Sequence, residues 1–311
     1  MMMNEGTPAI SIDRLTKRYG QTLAVESLSL SVPQGTIFGL LGTNGAGKTT
    51  TFKCMLGLAR PSEGSVSFEG RPLTPPLFER LAYVPEKCAL YEWMTGAQLL
   101  EMQRRSFSRY DDKRANELMD LFALDRKKKL GKFSKGQQTA MALVLAFSIH
   151  PEILVLDEPA AGLDPVHQRH VLDLIIGESA GGATVVFSSH QIGQVERAAE
   201  RVAIMHQGTL RLAGEVEQLK SDLKVVEATF DTDAPSLNGL SAEPSVGQIQ
   251  RAGRLVRIYV KGNGDEIARK IGDMHPRSVR ILDQNLEDIF LTTVGSSGSA
   301  MAADVAGASG R

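Results

Sequence analysis

Gly42, Thr43, Asn44, Gly45, Ala46, Gly47, Lys48 and Thr49 follow the spacing G-x-x-x-x-G-K-[ST], with Thr50 next. Glycines in such a loop let backbone N–H groups converge on phosphate oxygens. A helix opening near Lys48 turns the positive end of its dipole toward the same anion. Lys48 is then the cation for the β- and γ-phosphates of a nucleotide, and Thr49 offers its hydroxyl to a Mg2+ that bridges them. A second patch of chemistry follows Ile153, Leu154, Val155 and Leu156, where Asp157 and Glu158 end an apolar run. Carboxylates at the C-terminal end of a parallel strand lie beside the ligand crevice of the sheet. Asp157 is read as supporting the Mg2+ through its hydration shell, and Glu158 as the general base that orients the attacking water.

These residues need a sheet and helices to hold them. Residues 36–41 form a short apolar run entering Gly42, and Phe52, Met55, Leu56 and Ala59 recur at helical spacing, which predicts strand, loop and helix. Residues 9–19 and 23–32 read as antiparallel strands, and 65–68 and 81–84 as further strands. Residues 95–149 are dominated by helical periodicity, an insertion into the sheet. Strands return at 152–156, 184–188 and 202–205, separated by helices from about Pro165 and Gln191, and this alternation predicts a parallel α/β core. Near Ser221 the composition shifts. Strands at 225–230, 255–260 and 278–282 with helices at 265–271 and 286–291 predict a small α+β module. Beyond Val294 the chain is mostly Gly, Ser and Ala, too poor in apolar bulk to fold. The expected organisation is a nucleotide-binding domain at 8–220 with its helical insertion at about 90–150, an accessory domain at 223–294, and a disordered tail at 295–311.

The phosphate loop and the Asp157-Glu158 strand, with Phe133-Ser134-Lys135-Gly136-Gln137 and Ser188-Ser189-His190, resemble the ATP-binding subunits of ATP-binding cassette (ABC) transporters over about residues 10–219. The resemblance implies a P-loop NTPase core with an antiparallel β subdomain and an inserted helical subdomain. It implies an ATPase using ATP and Mg2+, working as an ATP-dependent homodimer or as a heterodimer with a related cassette. Its partner would be an integral membrane permease, and its place the cytoplasmic face of the inner (plasma) membrane. Tyr19 falls where the family stacks an aromatic on adenine; as a bare residue it is a strand-end tyrosine. Ser134 to Gln137 is a capping box that satisfies the first N–H groups of a helix, and the resemblance adds a contact between Ser134, Gly136 and the γ-phosphate held by the opposite subunit. Asp164-Pro165 reads equally as an N-cap with proline at the first helical position and as a residue pair at the dimer interface. His190 is either a satisfied strand-end histidine or, as the resemblance has it, a ring near the γ-phosphate, water and Glu158.

Tyr83-Val84-Pro85-Glu86, Ser134-Lys135-Gly136 and Leu286-Glu287-Asp288-Ile289-Phe290-Leu291 resemble cassettes of ABC-2-type exporters, whose membrane subunits are separate chains. Four positions depart from the family pattern. Glu86 stands where most members have Gln, so it accepts hydrogen bonds without donating an amide N–H, and this touches its implied Mg2+ and coupling role. Thr139 and Ala140 stand where Gln and a basic residue often follow the signature, and Ala161 replaces a Ser or Thr.

Composition excludes several classes. The formal net charge of −1 withholds the broad attraction behind nonspecific nucleic-acid binding, so no nucleic acid is expected as a partner. The run Arg126, Lys127, Lys128 and Lys129 is read first as a solvated loop or helix end. Cys54 and Cys88 lack neighbours at metal or redox spacing, and His167 and His170 read as a surface helix. Residues 1–8 lack the basic and apolar regions of a secretory signal, and no apolar stretch approaches the ~20 residues of a spanning helix, so a membrane role runs through a partner. The competing reading is a non-transport ABC ATPase acting as a nucleotide-dependent switch. Such proteins usually carry a long coiled coil or two fused cassettes, and neither pattern is visible.

Overall fold

The computed structural model describes residues 6–295 apart from 238 and 263. Contacts divide the chain between Leu210 and Arg211 into two compact units, a boundary that falls within the strand Thr209–Glu215.

In the first unit, β1 (Ile10–Tyr19) and β2 (Thr22–Val32) form an antiparallel hairpin closed by Tyr19 opposite Thr22. Next comes β3 (Ile37–Gly42), a strand with every residue buried. It runs through the phosphate loop into α1 (Lys48–Met55), and β4 (Glu63–Phe68) then returns to pair antiparallel with β1. After β5 (Leu81–Val84) the chain leaves the sheet for α2 (Gly96–Ser106), α3 (Asp112–Leu121) and α4 (Lys135–Phe147). Side chains of Thr95, Asp111 and Ser134 cap the three helices. Each such cap contributes about 1 kcal/mol to a helix start. The chain re-enters the sheet at β6 (Ile153–Asp157), followed by α5 (Pro165–Ala180), β7 (Thr184–Ser189), α6 (Ile192–Ala198), β8 (Arg201–His206) and β9 (Thr209–Glu215).

The six-stranded sheet has the order β5-β6-β7-β3-β8-β9, with parallel pairing from β5 through β8. Its central strands β3, β6 and β7 are buried throughout, which is why they read as continuous apolar runs rather than alternating ones. Register is what assembles the chemistry. Leu41 lies beside Ser189 and Asp157 beside Ser188, so the phosphate loop, the Asp157-Glu158 pair and the Ser188-His190 turn leave the same edge of the sheet together.

The second unit holds α7 (Val216–Asp222), β10 (Leu223–Thr229), β11 (Val246–Ala252), β12 (Leu255–Lys261), α8 (Asp265–Gly272), β13 (Ser278–Asp283) and α9 (Leu286–Gly295). Its antiparallel sheet has the order β11-β12-β10-β13, a split β-α-β arrangement. Val226, Ala228, Val256, Ile258 and Val260 turn one sheet face onto Ile267 and Ile271 of α8. Of the disordered tail expected at 295–311, Gly295 ends α9 and residues 296–311 lie outside the described residues. Among the described residues no helix is long and apolar enough to cross a membrane.

Candidate functional site

Gly47 opens α1 with φ 102°, and a Cβ at this position would stand 2.6 Å from the Ala24 carbonyl. Only glycine fits, and the loop can therefore lie against β2. Ala46 N–H donates to the Thr43 carbonyl at 3.0 Å, closing the turn, and Thr51 donates both its N–H and its hydroxyl to the Gly47 carbonyl. Gly42 and Ala46 are buried; Thr43, Asn44 and Gly45 are exposed, and Thr49 and Thr50 are half-buried on the first turn of α1. That turn carries no acidic residue of its own to offset its positive dipole end.

Lys48 is buried yet reaches across the loop. Its Nζ donates to the Gly42 carbonyl at 2.8 Å and stands 3.5 Å from Glu158 Oε1. Glu158 Oε2 faces His190 Nδ1 at 2.7 Å and accepts the His190 backbone N–H at 3.3 Å. Lys48, Glu158 and His190 thus form one chain of contacts, with Glu158 almost wholly buried and the His190 ring half in solvent. Glu158 has φ 52°, in the left-handed region that costs a non-glycine residue about 1–3 kcal/mol. Surrounding structure holds it there: its N–H donates to Ser188 Oγ at 2.9 Å, and Ser188 donates in turn to Asp157 Oδ1 at 2.6 Å. Ser188 is therefore a clasp between the Glu158 backbone and the Asp157 carboxylate, a role the sequence alone did not give it. The signal was its position two residues before His190 at a strand end.

Asp157 is 1% exposed, and its Oδ2 has no hydrogen-bond partner among the described residues. A buried anionic oxygen left in that state fits a cation or a cation's water shell. Nearby, Tyr83 also keeps its hydroxyl buried without a partner. Burial pushes the ionisation of that hydroxyl well up, and the Asp157 carboxylate adds to the effect. No group of three His, Cys, Asp or Glu residues suited to a metal occurs among the described residues.

The remaining sequence candidates stand apart from this hydrogen-bonded group. Tyr19 is exposed at the tip of the β1–β2 hairpin, with Lys17 Nζ 4.8 Å from its ring centroid. Glu86 is exposed in the loop after β5. Ser134 is exposed and forms the full capping box of α4, receiving Gln137 N–H on its hydroxyl while its own N–H donates to Gln137 Oε1. Asp164 caps α5 through the N–H groups of Val166 and His167. The His167 N–H and then its ring hold the Asp164 carboxyl below the usual carboxylate range.

At Gly136 the close approach that glycine permits is to the chain itself: a Cβ would stand 2.6 Å from the Gly162 carbonyl. That contact seats the start of α4 on the turn after Glu158, where Ala161 N–H donates to the Glu158 carbonyl at 3.0 Å. Gly136→Ala must push the two segments apart, because the obstacle is backbone. A cost of about 1–3 kcal/mol is expected, read as a lower thermal midpoint together with reduced ATP turnover. An unchanged midpoint would show that the turn yields freely.

The fold and this edge of the sheet define a P-loop nucleotide hydrolase. The ABC transporter family profile matches residues 25–161. The ABC transporter ATP-binding protein YhaQ of Bacillus subtilis is 31% identical over 297 residues, covering 92% of this chain and 99% of that protein. The daunorubicin/doxorubicin resistance ATP-binding protein DrrA of Streptomyces peucetius is 32% identical over 316 residues, 94% of each chain. A solved ATP-binding subunit of an ABC transporter aligns with TM-score 0.63 and 29% identity over 68% of this chain and 92% of its own. The chain belongs to the ATP-binding subunits of ABC transporters: it binds and hydrolyses ATP to power transport through a separate membrane-spanning partner.

Proposed function

We propose that this chain powers export, as the ATPase of an ABC-2-type exporter on the cytoplasmic face of the plasma membrane, and that two copies close on two ATP molecules. Export is supported by the drug-resistance role in the name of DrrA and by its alignment along almost the whole of both chains. The domain at 8–220 carries the nucleotide chemistry, and the module at 223–294 is accessory, since every residue of the phosphate site precedes it.

The observation that carries the mechanism is the contact chain from Lys48 through Glu158 to His190. Both carboxylate oxygens of Glu158 are engaged, Oε1 by the Lys48 cation and Oε2 by His190. A triphosphate in the loop competes for Lys48, drawing its Nζ from Gly42 and Glu158 onto the β- and γ-phosphate oxygens. Oε1 is then free to take the proton of the attacking water, while His190 keeps the carboxylate oriented. Thr49 and Asp157 would hold Mg2+, with Glu86 at the outer edge, and the ion would offset charge developing on the phosphates. The backbone of residues 42–50 cradles the phosphates, and Tyr19 offers its ring to the adenine. Ser134 and Gly136, at the N-terminus of α4, complete the site of the opposite copy.

Composite sites make turnover depend on association. Turnover per chain at saturating ATP should rise with protein concentration until the dimer saturates. Ser134→Arg, which sets a bulky cation in the interface, should abolish that rise while each monomer still binds ATP. Turnover per chain that is flat with concentration, in a sample shown to be monomeric, would exclude the composite site.

A further inference from the structure

Residues 127–135 contain five lysines, Lys127, Lys128, Lys129, Lys132 and Lys135, in a chain whose net charge is −1. Of these, Lys127, Lys128 and Lys129 belong to the run expected to be solvated; Lys127 and Lys129 are exposed, as are Lys132 and Lys135. Lys128 differs. It is half-buried, its stem runs beside Phe133 with Nζ 5.5 Å from the ring centroid, and Nζ donates to Gln137 Oε1 at 3.3 Å. That same oxygen accepts the Ser134 N–H at 3.2 Å. Two donors meeting one carboxamide atom identify it as the oxygen, so Lys128 and Ser134 leave the two N–H donors of the Gln137 amide untouched. No carboxylate pairs with any of the five lysines among the described residues, and the first turn of α4 carries no acidic residue. The segment around Ser134 therefore concentrates lysines, one of them held in place by its hydrogen bond, while the neighbouring Asp125 carboxylate accepts the Lys127 backbone N–H.

We propose that Lys128 is a positioning residue for the shared nucleotide site: it fixes the Gln137 amide in the capping box and holds a standing cation beside the face that meets the triphosphate of a second copy of this chain. The inference rests on the two-copy reading above. Charge complementarity supports it, because a nucleoside triphosphate brings about four negative charges, and the lysines lie on the segment that carries Ser134 and Gly136. Lys128 touches no residue of its own chain's phosphate loop, so it acts on association rather than on first binding of ATP.

The test uses the full chain in a Glu158→Gln background, where hydrolysis does not consume the complex, with sedimentation velocity in Mg-ATP from about 50 to 500 mM salt. Lys128→Met keeps the methylene stem against Phe133 and removes the charge. It should raise the protein concentration needed for dimerisation about tenfold at low salt and flatten the salt dependence, because fewer screened charges remain. ATP affinity of the monomer, measured with a fluorescent analogue at high dilution, should not change, which also reports that the variant is folded. Lys128→Arg restores a cation and should recover most of the association. Equal dimerisation of the Met variant and its parent at every salt concentration would overturn the proposal. Equal loss in the Met and Arg variants would assign Lys128 to packing and overturn it as well. A parent Glu158→Gln chain that never dimerises would instead remove the two-copy reading, a distinguishable failure.

Discussion

Replacing Glu158 with Gln should lower steady-state ATP hydrolysis by about 10²- to 10⁴-fold, the range that a positioned general base supplies. The side chain keeps its size. Its amide oxygen can still face His190 Nδ1, which stands 2.7 Å from Oε2 in the parent, while no oxygen remains that can take a proton from water. Binding should respond in the opposite direction. Glu158 is buried with its carboxylate 3.5 Å from Lys48 Nζ, so it competes with a triphosphate for that cation and repels it. Neutralising it leaves ATP affinity unchanged or tighter. Loss of turnover with retained binding therefore separates a chemical role from a structural one, and a variant that hydrolyses within about threefold of the parent would take the base assignment away from Glu158.

Lys48→Ala carries the second large effect, on binding. Lys48 is the cation placed at the phosphate loop, and charge-assisted hydrogen bonds contribute about 1.5–3 kcal/mol each. Losing one to the β- and one to the γ-phosphate gives a loss of about 3–6 kcal/mol, which weakens ATP binding by at least ~10²-fold. A competing cost falls on the folded chain, because the Gly42 carbonyl loses its 2.8 Å donor and Glu158 loses its cation. An unpaired buried group costs about 1–3 kcal/mol, so a lower thermal midpoint should accompany the binding defect. Isothermal titration well below that midpoint isolates binding from unfolding. Unchanged affinity would remove the phosphate assignment.

How far the sequence could be read depends on burial. The strands Ile37–Gly42, Ile153–Asp157 and Thr184–Ser189 are buried on both faces and announce themselves as apolar runs, and each delivers a site residue at its C-terminal end. Thr209–Glu215 and Val246–Ala252 escaped the reading because their residues are at most half-buried and mix polar with apolar types, leaving no clear period. The helix Val216–Asp222 has seven residues, too few to show a helical face beside the strand it follows.

The site divides in the same way. Lys48, Asp157 and Glu158 are residue types whose spacing along strands and loop already points to phosphate chemistry, His190 entered only through the family resemblance, and the structure joins Lys48, Glu158 and His190 by direct contacts. Ser188 was not legible as the clasp between the Glu158 backbone and the Asp157 carboxylate, because its partnership follows from the register of β6 against β7 rather than from any local pattern. The approach of Gly136 to Gly162 likewise spans two segments that only the folded chain brings together. Lys128 shows the limit of composition: a run of lysines reads as solvated, and the difference between Lys128 and its neighbours is one hydrogen bond to a capping amide.

Sedimentation velocity of the Glu158→Gln chain in saturating Mg-ATP, without a membrane partner, addresses the shared-site mechanism most directly. ATP that binds the dimer more tightly than the monomer shifts the association equilibrium by mass action, and blocked hydrolysis lets the closed form accumulate. The expected result is a dimer that requires ATP, is absent with ADP, and is lost when Ser134→Arg is added. A Glu158→Gln chain that binds ATP fully yet sediments as a monomer at every protein concentration would contradict the account.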